Sequence, residues 1–287
     1  MTKEWLKLGL AANISHNLET LKVASTLCGV VGDDVRAAQF ESLLEECGLK
    51  TWGIVRGPER PTTYKERVTT SGQQICRIDY ESSHAIDQAT AEKLLDRVRD
   101  FSKDHGAIII EDYAKGTLTN EVLSKLIAMG KETGRMIAVD PGRTTPPSFY
   151  QGATLLKPNL KEALSMAEAL GFREKNVSKV AELLVDKLKL EMIIITLGAQ
   201  GMALLDTTSK DGLVTIPTAA TEVFDVSGAG DTAISLLVSS LEAGANLTEA
   251  AWISNCGAGI VVGKKGTATV NQAEILEFYE RLVKRLQ

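Results

Sequence analysis

Short apolar runs and helix-period apolar faces alternate along this chain. Ile14, Leu18 and Leu21 share one helical face, and Cys28-Gly29-Val30-Val31 then reads as a strand. Phe40, Leu43, Leu44 and Cys47 mark a second helix. From about 52 to 80 the texture changes to Thr-, Val- and Arg-rich alternation broken at Ser71-Gly72, which predicts a β-hairpin. Leu94, Leu95, Val98 and Phe101 then define a helix that stops before Gly106. Beyond it the spacing predicts strands at 107–110, 136–139, 153–156 and 192–196. Helices fall between them, around Val122, Leu126 and Ile127, over 160–170 and over 180–188. Ile275, Tyr279 and Leu282 mark a last helix. This alternation predicts an α/β chain with a mainly parallel sheet covered on both faces. No linker divides it, so residues 1–287 are expected to form a single domain, with the β-rich stretch at 52–80 as an acceptor-side or lid segment.

The polar residues that interrupt this pattern fall at particular places. Asp112, Asp140, Asn159 and Gly198 each sit just past the carboxyl end of an expected strand. In an open parallel sheet those ends share one edge, where ligands bind.

Composition narrows the classes. At 287 residues, 44% hydrophobic and 24% charged, the chain is long and apolar enough for a buried core, which excludes a disordered or fibrous protein. A net charge of -5 gives no pull toward nucleic acid or anionic lipid. No apolar run is long enough to span a bilayer, and the first residues lack the apolar block of a signal peptide. The expectation is a cytoplasmic protein with no nucleic-acid or membrane partner. Cys28, Cys47, Cys76 and Cys256 form no CxxC pair and share no ligand spacing with His16, His84 or His105. Zinc chemistry is therefore not expected, and the thiols read as reduced.

The sharpest local signal is Asp225-Val226-Ser227-Gly228-Ala229-Gly230-Asp231-Thr232, followed by an apolar helix. Glycines at a helix entrance expose successive backbone N–H groups, which together with the helix dipole favour an anion. Asp231, in the first turn, is then placed to take a proton from a hydroxyl attacking a phosphoryl group. An acidic first turn also complements the dipole with no chemistry attached. Gly-Ala-Gly-Asp arises by chance in about one window in 10^5, which favours the functional reading here. Two other nucleotide motifs are excluded. There is no Gly-x-Gly-x-x-Gly after the first strand, and Gly259 to Lys264 is one residue short of a Walker loop.

The stretch from Asp225 to Thr232 resembles the C-terminal signature of the PfkB/ribokinase family of carbohydrate kinases. Asn159-Leu160-Lys161-Glu162 resembles that family's Asn-x-x-Glu motif, and residues 195–202 resemble its nucleotide strand pair. Asp112-Tyr113-Ala114-Lys115-Gly116, residues 61–67, 73–79, 152–159 and 262–270 are similar to the branch acting on D-glycero-D-manno-heptose 7-phosphate, often one half of a bifunctional enzyme with an adenylyltransferase. The resemblance covers nearly the whole chain. It implies a ribokinase-like three-layer α/β/α fold and ATP-dependent phosphorylation of a sugar hydroxyl, giving the heptose 1,7-bisphosphate. Asp231 would be the base, and the amides of Gly228, Ala229 and Gly230 the anion hole. Asn159 and Glu162 would position Mg²⁺ through water, although Asn followed by Glu three residues later is also a capping box. Thr196, Gly198 and Gly201 would line the nucleotide side, Asn255 and Gly259 the adenine slot, and Asp225 would frame a monovalent-cation (K⁺) site. Asn13, Lys65, Arg77, Asp112 and Lys115 are the acceptor-side candidates, the cations suiting a sugar phosphate.

The chain departs from the pattern in four places. The family's first central strand and much of its lid are expected to be missing, and the lid-mediated homodimer of the family depends on those strands. Of a Gly-Gly pair, Gly9 is kept and Leu10 takes the second place. Asp140-Pro141-Gly142-Arg143 lacks the Lys usual after the Pro, and Lys157 stands where Thr is usual. Two further readings stay open: a catalytically reduced nucleotide- or sugar-phosphate-binding homologue, and a kinase for another sugar or a nucleoside.

Overall fold

The computed structural model describes residues 4–70, 73–264 and 266–286. The chain runs α1 (Ala11–Thr20), β1 (Cys28–Val31), α2 (Val35–Glu46), β2 (Gly53–Arg56), β3 (Tyr64–Thr70), β4 (Gln73–Tyr80), α3 (Gln88–Ser102) and β5 (Ala107–Glu111). It continues through α4 (Asn120–Thr133), β6 (Met136–Asp140), β7 (Leu155–Leu156), α5 (Leu160–Ala169), α6 (Val177–Leu188), β8 (Met192–Thr196) and β9 (Met202–Asp206). Then follow β10 (Val214–Ile216), α7 (Ala229–Glu242), α8 (Leu247–Val261) and α9 (Gln272–Leu286).

β5 to β8 form a parallel array, to which β9 and β10 add antiparallel edges, in the order β10-β9-β8-β7-β6-β5. Successive strand residues point to opposite faces, and both faces are apolar. Ile137, Val139, Leu156, Ile193 and Ile195 enter the core shared with Leu123, Leu126, Val180 and Leu184 of α4 and α6. Ala138, Leu155, Ile194 and Leu204 enter the other, with Ile14, Ile234, Leu237 and Ala250 of α1, α7 and α8. The result is three layers, as the alternation predicts.

Two segments differ from expectation. The stretch 52–80 is not one hairpin. Gly53–Arg56 pairs in parallel with β1, and only β3 and β4 form the antiparallel hairpin. Its expected break at Ser71-Gly72 lies outside the described residues. The strand expected over 153–156 is reduced to Leu155–Leu156, although Thr154 N still donates to Ile137 O and Lys157 N to Val139 O.

The β1–β2 pair stands apart from the six-stranded sheet. β1 and β5 instead wall a continuous cavity of about 3310 Å³. Leu94, Val98 and Phe101 of α3 line it on one side and Ile14, Leu18 and Val238 on the other. The two strands that border this gap each keep one edge unpaired among the described residues.

Leu10 caps α1 with φ 56° and ψ −145°. That backbone region belongs almost entirely to glycine. The departure at the Gly-Gly pair therefore stores strain at the start of α1, three positions before Asn13.

Two measurements follow from this architecture. In amide hydrogen exchange, β5 should exchange faster than β6, β7 and β8, because one of its edges lacks a ladder partner; equal protection would show the gap closed in solution. Leu10→Gly should raise unfolding free energy by about 1 kcal/mol in a urea titration, as relief of strain outweighs the extra entropy of glycine.

Candidate active site

The helix that enters the gap region carries the sharpest motif. Helices α3, α4, α5, α6 and α8 begin on Asp87, Thr119, Asn159, Asn176 and Asn246, each accepting from a backbone N–H. α7 begins on Gly228, with φ 81° and no side-chain cap. A Cβ at this position would meet Asn13 Nδ2 at 3.0 Å, so conformation and space both require glycine. The Ala229 amide turns to Val226 O at 3.3 Å. Gly230 and Asp231 occupy the next first-turn positions, whose N–H groups find no acceptor within a helix. Asp225 shapes the approach, accepting from the Ser227 amide at 2.9 Å and the Gly266 amide at 3.0 Å. The Ser227 bonds hold its carboxyl below the usual aspartate range.

Asp231 is only 9% exposed and lines the cavity. Asn13 Nδ2 donates to its Oδ2 at 2.6 Å, and Tyr113 Oη lies 3.5 Å from its Oδ1. Burial pushes this carboxyl above the ordinary aspartate value, against the Asn13 bond and the charge of Lys157, which lower it. Asn13, expected on the acceptor side, therefore touches Asp231 directly. Its own Oδ1 is buried without a partner.

The strand ends converge as expected, and with more than expected. Glu111 and Asp140 are register partners at the ends of β5 and β6. Lys157, following β7, reaches Asp140 Oδ2 at 2.6 Å. Glu111 Oε2 is buried and unpartnered. Glu111 and Tyr113 escaped the sequence reading because one ended an apolar run and the other stood inside a motif read for its charged letters. Asp112 is turned to structural use. Its Oδ1 accepts from the Ala114 amide at 2.7 Å, and its Oδ2 from Tyr150 Oη at 2.6 Å and Thr145 Oγ1 at 2.7 Å. Tyr150 Oη also accepts from the Gly142 amide at 2.8 Å. A Cβ at Gly142 would crowd Thr145 and Asp112 at under 3.0 Å, which accounts for glycine in the Asp140-Pro141-Gly142 turn. Arg143 reaches across the mouth to within 3.8 Å of Glu162 Oε1.

On the nucleotide side, Asn159 and Glu162 form a reciprocal capping box, with bonds of 2.9 and 3.0 Å. That leaves Glu162 Oε1 facing the cavity without a hydrogen bond. Among the described residues no three acidic, His or Cys side chains make a preformed metal cage. Magnesium bound through one or two carboxylates plus phosphate oxygens needs none, and a half-buried carboxylate oxygen beside the anion loop fits that donor set. Thr196 and Gly198 line the cavity, whereas Gly201, Asn255 and Gly259 do not. Gly201, at φ 93°, makes the β8–β9 turn against Ile216 O. Asn255 accepts from the Ala219 amide at 3.2 Å and donates to Pro217 O at 2.7 Å. Gly259 packs that same loop onto α8.

On the acceptor side, strand alternation places Lys65, Arg67, Arg77 and Asp79 on one face of the hairpin. Lys65 pairs with Asp79 at 3.3 Å and Glu81 at 2.8 Å, Arg77 pairs with Asp79 at 2.9 Å, and Lys115 also pairs with Glu81. The expected cations do gather in the cavity, each already facing a carboxylate.

The pattern of the pfkB family carbohydrate kinases matches residues 8–274. The chain is 40% identical over 276 residues to the bifunctional protein HldE of Citrifermentans bemidjiense, covering 96% of this chain and 56% of that protein. It is 39% identical to the bifunctional protein HldE of Wolinella succinogenes, covering 96% and 57%. It thus spans about half the length of the curated relatives it matches. Among solved structures, phosphofructokinase-2 from Escherichia coli in complex with potassium is similar with a TM-score of 0.78 at 20% identity, covering 94% of this chain and 86% of that one. Ribokinase from Thermotoga maritima is similar with a TM-score of 0.74 at 20% identity and the same coverages, 94% and 86%. Among the described residues no helix is long and apolar enough to cross a membrane. A motif that builds an uncapped helix entrance beside a buried carboxyl, on a sheet matched throughout by one family pattern, makes this chain a member of the pfkB family of carbohydrate kinases, a phosphotransferase.

Proposed function

We propose that this chain transfers the γ-phosphoryl group of ATP to the anomeric hydroxyl of D-glycero-D-manno-heptose 7-phosphate, giving the 1,7-bisphosphate. The observation that carries the reading is Asp231, buried at the entrance of α7 and opening on the cavity shared with the strand ends. Similarity to the two bifunctional proteins and the motif resemblance support the heptose acceptor.

In this reading Asp231 accepts the hydroxyl proton as the sugar oxygen attacks the phosphorus and the bond to ADP breaks. Asn13 holds the carboxylate in register for that transfer. First-turn amides of α7 stabilise the charge on the transferring group. Mg²⁺ would offset phosphate charge, with Glu162 and Asn159 holding its waters. Asp225 and the loop it ties to Gly266 would frame K⁺. Val68, Ile78 and Tyr80 of the hairpin are exposed apolar side chains, which support a homodimer.

The Asp140-Pro141-Gly142 turn, which lacks the Lys usual after the Pro, favours a second reading, a homologue that binds nucleotide with little turnover. ADP release measured across a panel of phosphorylated and free sugars separates the two. The kinase reading expects ADP formation that depends on heptose 7-phosphate, and nucleotide binding without acceptor-dependent ADP would sink it.

Asp231→Asn should lower kcat by about 10²- to 10⁴-fold, the usual contribution of a positioned base. Folding favours the protonated Asp231, so its ionised form costs stability at neutral pH and the cost fades as pH falls. The same variant should therefore melt no lower than the parent at pH 7, with the difference narrowing toward pH 5. For the parent, kcat/KM should fall on the acid side at a pH above the ordinary aspartate range, since the base works only when deprotonated.

A further inference from the structure

Lys157 is a fully desolvated ammonium, with its side chain 5% exposed, at the entrance of α7. A Cβ built on Gly230 would lie 3.7 Å from Nζ and 3.8 Å from Asp140 Oδ2. For the fold alone this is the wrong sign of charge, since a helix N-terminus repels a cation. A buried Lys–Asp pair is also no better for stability than apolar side chains of the same shape. The surroundings supply a different reason. Glu111 Oε2 is buried there without a partner, opposite Asp140 in the ladder, and Asp231 occupies the first turn of α7.

We propose that Lys157 is a positioning residue of this site, a buried cation shared by Asp140, Glu111 and Asp231 that balances and orients the base from beneath the anion loop. This rests on the reading of Asp231 as the base. Three carboxyls around one ammonium cannot all be ionised out of water. Burial and then the charges of Asp140 and Asp231 push Glu111 well above the usual carboxyl range. Asp140 takes the direct ion pair. Asp231 is left with the Asn13 hydrogen bond and the field of Lys157 to hold it ionised against burial. The groups facing this centre are Asn13 from α1, Glu111 and Tyr113 from β5 and its exit, Asp140 from β6, Lys157 after β7, Glu162 from α5 and Asp231 from α7.

The test is a carbon-13 NMR titration of the aspartate carboxyls in the full chain, with Asp231→Asn identifying the resonance. Replacing Lys157 by Met should move the Asp231 midpoint up by about one to three pH units, the effect of losing a nearby opposite charge. Lys157→Arg, which keeps the charge, should stay close to the parent. A midpoint unmoved or lowered in Lys157→Met overturns the proposal. Should that variant fail to fold, Asp140→Asn decides: it frees the ammonium for Asp231 and should lower the midpoint, and an unchanged midpoint sinks the idea. The titration needs no turnover. A parent chain that forms no acceptor-dependent ADP would refute the kinase reading and leave the role of Lys157 to be judged by the carboxyl alone. In an active chain the acid limb of kcat/KM should follow the midpoint in each variant, which a purely structural lysine would not produce.

Discussion

Residues 218 positions apart are tied by the bond from Asn13 to Asp231, and the rest of the site depends on that seam between α1 and α7. Two further buried contacts continue it. Thr232 Oγ1 donates to Asn17 Oδ1 at 2.9 Å, and Ser235 Oγ donates to Ile14 O at 3.3 Å. Such bonds in a water-poor interface are costly to leave unmade, so they fix one rotation of α1 against α7 where apolar packing would tolerate several. That rotation aims the Asp231 carboxyl at the strand ends and keeps Gly228 clear of any side chain of its own. The strained Leu10 stands at the head of the same seam.

Much of this was legible in the letters. Both faces of β6, β7 and β8 are buried, so their runs read as continuous apolar segments, and the polar residue after each run marked the binding edge. The uncapped glycine entrance of α7 was readable because glycine and aspartate at a helix start have few other joint uses. What the letters hid was competition for contacts. Asp112 looked like an acceptor ligand, yet Tyr150 and Thr145, more than thirty positions away, use its carboxyl to build the turn after β6. Asn255 and Gly259, expected at the adenine slot, seat the 217–220 loop on α8, a contact no local pattern announces. Glu111 carries no local signature, because its importance comes from standing opposite Asp140 in a ladder joining segments far apart in sequence.

The two halves of the cavity treat charge differently. Around Asp231, among the described residues, the buried Lys157 ammonium sits with several acids in a dry setting. Around the hairpin, partly exposed lysines and arginines alternate with acids in water-accessible pairs, where each contact contributes little to stability. The first arrangement suits proton movement and the second suits exchange of partners.

Glu81 is the hinge of that second arrangement. It is held between Lys115 after β5 and Lys65 of the hairpin, and the two ammoniums keep its carboxyl below the usual glutamate range. On the proposed reading, an acceptor dianion reaching these ammoniums would compete with a carboxylate that the chain itself supplies, so selectivity would turn on how well the newcomer replaces Glu81.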